Sequence, residues 1–214
     1  MNALAQLADR LFPPAPHVAM DDDAGGLAAI AEPGVNLAIW QRRLSPALAT
    51  DVNRLMGAAQ GDVRLKAPLA GLASGLAAAL AEANLPEVPT LVADIVDLAK
   101  QAAPLMMTAA FDMRLEIVTG NACHKFHADY VPLRLITSYA GPGSQWLSNE
   151  DAAALADGAA IDQLDVRQLL AGEVALFKGR LLTATPIIHR SPPIAGTGAR
   201  RLVLVINPAH EGCC

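Results

Sequence analysis

The spacing of apolar residues changes near residue 110, and this change constrains the fold more than any other feature of the chain. Up to about residue 105 the apolar residues recur at helical intervals, whereas beyond residue 110 they alternate with polar residues as they do in strands. A block of helices followed by a block of strands indicates an α+β fold and argues against a regular alternation of the two. The sequence contains no G-x-G-x-x-G and no P-loop pattern, which excludes the common nucleotide-binding folds.

The first half is predicted to be mostly helical. Ser45 followed by Pro46 is the order of an N-cap and a first helical residue, so a helix is expected to begin there. The spacing predicts helices over residues 45–56 and 68–83 and from residue 89 onward, with a strand over residues 35–40. The three aspartates Asp21–Asp23 are expected to form a solvated acidic turn.

The second half is predicted to be built from short strands that glycine and proline separate. Period-two alternation predicts strands over residues 112–118, 125–130, 133–139, 173–177, 185–189 and 201–206, with a short helix over residues 149–155. Strands of this length and spacing favour a small antiparallel barrel or jelly roll. We therefore expect one domain over residues 1–214. A helical N-terminal portion (1–109) would pack against a β-barrel core (110–208), and residues 209–214 would form a flexible tail.

Composition narrows the function classes. A net charge of −5 and an aromatic fraction of 4% argue against a nucleic-acid binder, which needs a basic surface or stacking rings. The hydrophobic fraction of 53% is inflated by alanine, and no uninterrupted apolar run reaches the roughly 18–20 residues of a membrane-spanning helix. The N-terminus lacks the basic-then-apolar order of a signal peptide, and three cysteines do not make a disulfide framework. A cytoplasmic protein is therefore expected.

Two histidines and an aspartate carry the chemistry. His127 and Asp129 are two residues apart, so on an extended chain both side chains point to the same face. With His189, in later strand-like sequence, they could form the two-histidine, one-carboxylate set that holds non-haem iron(II) and leaves coordination positions open. The alternatives are a hydrogen-bonded His127–Asp129 pair in a sheet and a loop histidine at position 189.

The second half also resembles a known superfamily. The ordered phrases F-H-A-D-Y-V-P-L-R-L, G-E-V-A-L-F-K-G, I-I-H-R-S-P-P and R-R-L-V-L-V-I-N resemble the double-stranded β-helix of iron(II)/2-oxoglutarate-dependent dioxygenases. The resemblance is closest to an uncharacterised bacterial family of unknown function and covers residues 110–208. It implies that His127 and Asp129 are the proximal iron ligands and that His189 is the distal ligand.

The same resemblance implies a site for the cosubstrate. In the superfamily a basic residue about ten positions past the distal histidine holds the remote carboxylate of 2-oxoglutarate, and Arg200 and Arg201 both lie there. Strand alternation lets only one of them point inward, and the spacing favours Arg200. Tyr139 occupies a place where some members use tyrosine for the same carboxylate.

The implied activity is oxidation or hydroxylation of an unknown small molecule or protein side chain, with iron(II) as metal and 2-oxoglutarate as cosubstrate. Two alternatives remain. One is a cupin-like zinc metalloprotein (a hydrolase, an isomerase or a metal-handling protein), and the other is a non-catalytic binding module. The assembly state, a homodimer among the options, is open.

Other residues near these motifs have ordinary explanations. Cys123 and His124 are expected outside the ligand set, because His124 is an odd number of residues from His127. Arg114 and Glu116 share a strand face and would form an ion pair or contact a substrate. Trp146 is expected in the core. In the tail, His210, Cys213 and Cys214 offer zinc or copper(I) ligands, but a mobile chain end is the expectation.

Overall fold

A computed structural model describes residues 16–209 of the chain, and ten strands and four α-helices lie in this part. The strands are β1 (Val18–Asp21), β2 (Leu37–Trp40), β3 (Asp62–Pro68), β4 (Ala110–Val118), β5 (Leu133–Ala140), β6 (Gln145–Trp146), β7 (Arg167–Gln168), β8 (Val174–Lys178), β9 (His189–Arg190) and β10 (Arg201–Pro208). The α-helices are α1 (Pro46–Met56), α2 (Leu72–Glu82), α3 (Pro89–Met106) and α4 (Asn149–Ala156), and 3₁₀ helices cover Ala24–Ala31, Leu69–Gly71 and Ile161–Gln163.

Seven of these strands form one mixed sheet in the order β1-β2-β8-β5-β10-β4-β3. All neighbours in it are antiparallel except β1 and β2, which run parallel. The central strand β10 pairs with β4 along its whole length and with β5 on its other side, where the register shifts between Leu202 and Val203.

A second sheet of three strands, β7-β6-β9, lies against one face of the large sheet. One apolar cluster fills part of the space between the two sheets, and it contains residues from both sheets and the loops beside them. Its buried members are Val18, Leu37, Ile39, Ile136, Trp146, Leu169, Ala175, Phe177 and Ile187. Trp146 is therefore a core aromatic, as the sequence predicted.

The helices α1, α2 and α3 cover the opposite face of the large sheet. Along β10 the alternate residues Leu202, Leu204 and Ile206 are fully buried and belong to this helix-facing cluster. The intervening residues Val203 and Val205 point toward the second sheet and the cavity there. This alternation gives the sheet one face for the helical core and one face for a site.

The α+β class and most predicted elements are confirmed. Ser45 caps α1, because its hydroxyl accepts a hydrogen bond from the Leu48 amide, and Pro46 is the first helical residue. Among the aspartates of the predicted acidic turn, Asp23 caps the 3₁₀ helix that follows by accepting from the Gly25 amide.

The arrangement of the two halves differs from the expectation. The N-terminal portion is not a separate helical layer, since β1, β2 and β3 extend the large sheet at both of its edges. The helix predicted from residue 68 begins at Leu72, because residues 62–68 form β3. The polar–apolar alternation of Asp62 to Ala67 has a period of two and could have indicated that strand.

One predicted strand of the second half is absent, and another is shorter than expected. Residues 125–130 form no ladder, and only His127 makes a bridge, to His189. The strand predicted over residues 185–189 is reduced to β9.

Two further expectations concern the chain ends and membranes. The tail residues His210, Cys213 and Cys214 lie outside the described residues. Within residues 16–209, no helix has the length and apolar character needed to cross a membrane.

Candidate metal centre

His127, Asp129 and His189 lie together between the two sheets. His127 and His189 are joined by reciprocal backbone hydrogen bonds, with N···O distances of 3.0 and 2.9 Å. This bridge places two histidines from distant parts of the sequence side by side. Asp129 follows two residues after His127, and the two side chains face the same side, with Nε2 of His127 3.7 Å from Oδ1 of Asp129, as the sequence predicted.

The ligand atoms of these residues face one another. Nε2 of His189 is 3.3 Å from Oδ2 of Asp129, and Nε2 of His127 is 3.7 Å from Oδ1. One nitrogen or carboxylate oxygen from each of the three residues lies within 4.8 Å of the others. The two imidazole rings are tilted by 46°, with centroids 4.7 Å apart. Three donors this close can surround one metal ion.

Backbone carbonyls orient both imidazoles. Nδ1 of His127 lies 2.8 Å from the carbonyl oxygen of Lys125, and Nδ1 of His189 lies 3.4 Å from that of Ile187. A carbonyl accepts but cannot donate, so each ring places its proton on Nδ1 and leaves the lone pair of Nε2 free. The edge of Phe177 also packs on His189, with centroids 4.7 Å apart. His127 is therefore held in the tautomer that binds a metal through Nε2, and the longer contact of His189 favours the same tautomer.

The carboxylate of Asp129 is buried and ionised. Burial alone raises the pKa of Asp129, but interactions with His189, the Arg134 guanidinium and His127 outweigh it and lower the pKa below its usual value. Arg134 donates a hydrogen bond to Oδ1. Within residues 16–209, Oδ2 has no hydrogen-bond partner. A buried carboxylate oxygen without a partner is costly, and a metal ion at this position would satisfy it.

Two of the three residues, His127 and His189, line a cavity of about 260 Å³. His127 and His189 line one side, and alternate residues of β10 form the floor, among them Val203, Val205 and Asn207. Beyond the floor, the neighbouring strand β4 contributes a charged row that includes Arg114 and Glu116, whose side chains form an ion pair at 2.6 Å.

Arg201 lies beside this cavity. Its side chain is on the same face of β10 as Val203 and is fully buried. Nη2 donates to the hydroxyl oxygens of Ser138, at 3.2 Å, and Ser144, at 3.4 Å, and Ser144 lines the cavity. Its Nε and Nη1 atoms have no hydrogen-bond partner anywhere in the described part of the chain.

The burial of Arg201 perturbs its charge. Burial lowers the pKa of Arg201 to about 10, and the negative charge of Glu116 only partly opposes this effect. The guanidinium stays charged at neutral pH, with two of its nitrogens unsatisfied. Such a group would gain most from a bidentate carboxylate, which matches the fork of its N–H donors.

The structure does not bring Arg200 to the site. Its guanidinium points away from the cavity and donates to the main-chain carbonyls of Met56, Ala58 and Ala59, just after α1. The preference for Arg200 over Arg201 was therefore wrong. The spacing from His189 does not distinguish two adjacent residues. The alternation of side chains along β10 does, because it places Arg201 on the cavity side.

Tyr139 also lies outside the site. It is buried in the helix-facing cluster, where its hydroxyl donates to Oδ2 of Asp94 at 2.6 Å. Burial, with the negative charge of Asp94, raises the pKa of Tyr139 well above its usual value, so the hydroxyl stays protonated as a donor. On β5 it is the preceding residue, Ser138, that faces the cavity side.

Neither Cys123 nor His124 belongs to the donor group, as predicted, although the reason differs. Strand parity does not apply, because the segment is a loop in which Cys123 has a positive φ of 52°. Nδ1 of His124 contacts the carbonyl of Asn121 at 2.7 Å, and the exposed Cys123 lies at the wall of the cavity. Sequence reasoning missed Arg134, Ser138 and Ser144, whose roles depend on side-chain contacts that form only in the folded chain.

Comparisons with known proteins place the chain in a family. A model of the family described as "Protein of unknown function (DUF1826)" matches residues 21–207. A search of the curated proteins gave no match.

Several solved structures are similar in fold over most of the chain. A bsmA homolog from Methylobium petroleophilum PM1 has a TM-score of 0.49 at 10% identity and covers 87% of this chain and 93% of its own. A prolyl-4-hydroxylase from Pseudomonas putida has a TM-score of 0.43 at 15% identity and covers 87% and 99%. A full-length Neurospora crassa protein in complex with alpha-KG has a TM-score of 0.42 at 10% identity and covers 83% and 75%. All three TM-scores are below 0.5, so none of these structures assigns a chemistry to this chain.

Proposed function

The chain belongs to the DUF1826 family, and for this member we propose a non-haem iron(II) oxygenase that uses 2-oxoglutarate to oxidise a small molecule or a single side chain. One observation carries the proposal. The donors of His127, Asp129 and His189 converge beside a cavity that also has a buried, partly unsatisfied guanidinium, Arg201, at its edge. A metal-ion site on this cavity and a carboxylate-binding guanidinium beside it would suit a 2-oxoacid that binds both.

The residues present fit the metal. Two imidazole nitrogens and one carboxylate oxygen form a donor set that iron(II) accepts, and the unpartnered Oδ2 of Asp129 supplies the negative charge. Three protein ligands leave the remaining coordination positions open. When bound, iron(II) and 2-oxoglutarate supply the redox chemistry, in which dioxygen converts the 2-oxoacid to succinate and carbon dioxide and places its second oxygen atom on the substrate.

The residues also fit the cosubstrate. Arg201, with the hydroxyls of Ser138 and Ser144 beside it, would hold the remote carboxylate by charge-assisted hydrogen bonds. Val203 and Val205, on the same face of β10, offer an apolar floor for the methylene groups between the two ends of the molecule. Burial would make the Arg201–carboxylate pair strong, because little water competes for it.

The cavity size bears on the substrate. At about 260 Å³ the cavity lies at or below the lower end of the roughly 300–1,000 Å³ typical of ligand pockets. The cosubstrate would fill much of it. The chain would therefore admit a small molecule, or one side chain of a larger molecule.

Anaerobic titration tests the proposal. Adding iron(II) and then 2-oxoglutarate to the purified protein should produce a visible metal-to-ligand charge-transfer band, and air should then release succinate. His189→Ala should abolish the band, and Arg201→Met should shift its appearance to higher 2-oxoglutarate concentrations. Iron binding without a band or succinate would refute 2-oxoglutarate use, and tight zinc binding in the same assay would favour a zinc enzyme instead.

A further inference from the structure

Arg134 connects a metal ligand to the floor of the cavity. It lies on β5 and lines the cavity, and its Nη1 donates to Oδ1 of Asp129. Its Nε donates to Oδ1 of Asn207 on the neighbouring strand β10, at 2.8 Å. The side chain is only 22% exposed, so water competes little for these contacts. Two anchors on a planar guanidinium fix its position and orientation.

This contact makes the two oxygens of Asp129 different. Oδ1 is engaged by Arg134, whereas Oδ2 has no hydrogen-bond partner within residues 16–209 and lies 3.3 Å from Nε2 of His189. An ionised carboxylate can bind a metal through one oxygen or through both. With a cation held against Oδ1, the oxygen left for a metal is Oδ2.

We propose that Arg134 is a positioning residue that limits Asp129 to coordination through Oδ2 alone. The inference rests on the proposed metal site. A six-coordinate metal with three protein donors has three positions left, which is what a chelating 2-oxoacid and dioxygen together require. If Asp129 bound through both oxygens, one of these positions would be lost. Asn207 contributes by fixing the position of the Arg134 guanidinium through its hydrogen bond to Nε.

A merely structural Arg134 would behave differently. As an ordinary ion pair, its loss would weaken folding and metal affinity together, since the loop of Asp129 would become disordered. As a positioning residue, its loss should leave metal affinity unchanged or higher, because a cation next to the metal is removed. Only the number of open coordination positions should fall.

Pulsed EPR of the Mn(II)-loaded protein in D₂O can count the exchangeable water ligands. We expect three in the wild type, two in Arg134→Gln, and three again in Arg134→Lys, whose ammonium can still hold Oδ1. Arg114→Gln removes another cavity-lining arginine, one that pairs with Glu116, and should keep three. Equal counts in wild type and Arg134→Gln would overturn the proposal, as would loss of Mn(II) affinity in both position-134 variants.

A second readout separates this proposal from the oxygenase assignment. If the wild type chelates 2-oxoglutarate, Arg134→Gln should raise the dissociation constant for chelation roughly tenfold or more, with Mn(II) affinity maintained. An unchanged dissociation constant would contradict the role of Arg134. If the wild type itself does not chelate 2-oxoglutarate, the oxygenase assignment fails, and the water count alone decides the role of Arg134.

Discussion

Arg200 and Arg201 are consecutive in the chain, yet their guanidinium groups point in opposite directions. Arg200 donates to the carbonyls that follow α1, whereas Arg201 is buried against Ser138 and Ser144 at the edge of the cavity. We therefore expect Arg200 to contribute to the stability of the fold and Arg201 to contribute to ligand binding.

Replacing each arginine by methionine in turn tests these two roles. Arg201→Met should weaken 2-oxoglutarate binding by about 1.5–3 kcal/mol, or roughly ten- to a hundredfold, because charge-assisted hydrogen bonds are lost. It should leave the free energy of unfolding unchanged or higher, since it removes a buried charge with unsatisfied donors. Binding titrations and urea unfolding of the metal-loaded protein measure both effects.

Arg200→Met is the matched control for Arg201→Met. It should lower the free energy of unfolding by about 1–3 kcal/mol, because main-chain carbonyls lose their donor, and leave 2-oxoglutarate affinity unaltered. The reverse pattern, with Arg200 needed for binding and Arg201 for folding, would contradict the placement of the Arg201 side chain on the cavity side of β10.

Tyr139→Phe should affect stability and not ligand binding. The lost hydroxyl donates to Asp94, a carboxylate that also pairs with Arg42 at 2.6 Å, so we expect a loss of about 1.5–3 kcal/mol in the free energy of unfolding. Chemical denaturation and 2-oxoglutarate titration measure the two quantities. A weaker 2-oxoglutarate affinity would mean that Tyr139 reaches the site after all.

Asp51 is expected to stabilise a helix other than its own. It lies on α1, and its Oδ2 accepts from the Thr90 and Leu91 amides at 2.7 and 3.2 Å, where α3 has no side-chain cap. Asp51→Ala should therefore lower the free energy of unfolding by about 1–3 kcal/mol, as measured by urea denaturation. Asp97→Ala, which removes an exposed carboxylate of α3, should cause little change, and an equal effect of both would contradict the capping role.

His17 should make stability depend on pH. It is buried, with Nδ1 2.6 Å from Oδ1 of Asn36 and Nε2 accepting from the Asn149 amide, so the ring is neutral. Burial, more than the Arg167 charge, lowers the pKa of His17. Protonation would break the bond to Asn149 and place a positive charge at the N-terminus of α4.

The sign of this effect follows from the lowered pKa. The contribution of His17 is fully present above its unfolded pKa of about 6.5 and is lost as pH falls through its folded pKa, because the unfolded chain takes up the proton first. His17→Gln keeps a donor and an acceptor but cannot titrate. Urea midpoints between pH 7.5 and pH 5, with chelator present, should therefore fall less in His17→Gln than in the wild type, and parallel curves would exclude this role.

Local signals made much of the fold predictable. Ser45 and Pro46, two adjacent residues, define the start of α1, because helix capping is a local interaction. The place of β3 in the large sheet was not predictable in the same way. The alternation of polar and apolar residues in β3 indicates a strand. Its partner β4 lies far along the chain, however, and strand pairing depends on contacts that no local pattern encodes.

The site was predictable to the extent that its residues share a motif. His127, Asp129 and His189 could be selected because ligand chemistry restricts residue type and spacing, and the predicted family of unknown function is confirmed. Arg134 could not be selected, because its contact to Asn207 comes from pairing β5 with β10, and its contact to Asp129 depends on the conformation of the loop before β5. The choice between Arg200 and Arg201 depended on where β10 begins, a boundary that periodicity does not resolve.

The central claim is that His127, Asp129 and His189 hold one iron(II) ion, and anaerobic calorimetric titration with iron(II) tests it most directly. We predict one ion per wild-type chain and at least about a hundredfold weaker binding in His189→Ala and in the shape-conserving Asp129→Asn. His124→Ala, which removes a nearby histidine outside the donor group, should bind like the wild type. No binding by the wild type, or equal binding by all four proteins, would contradict the claim.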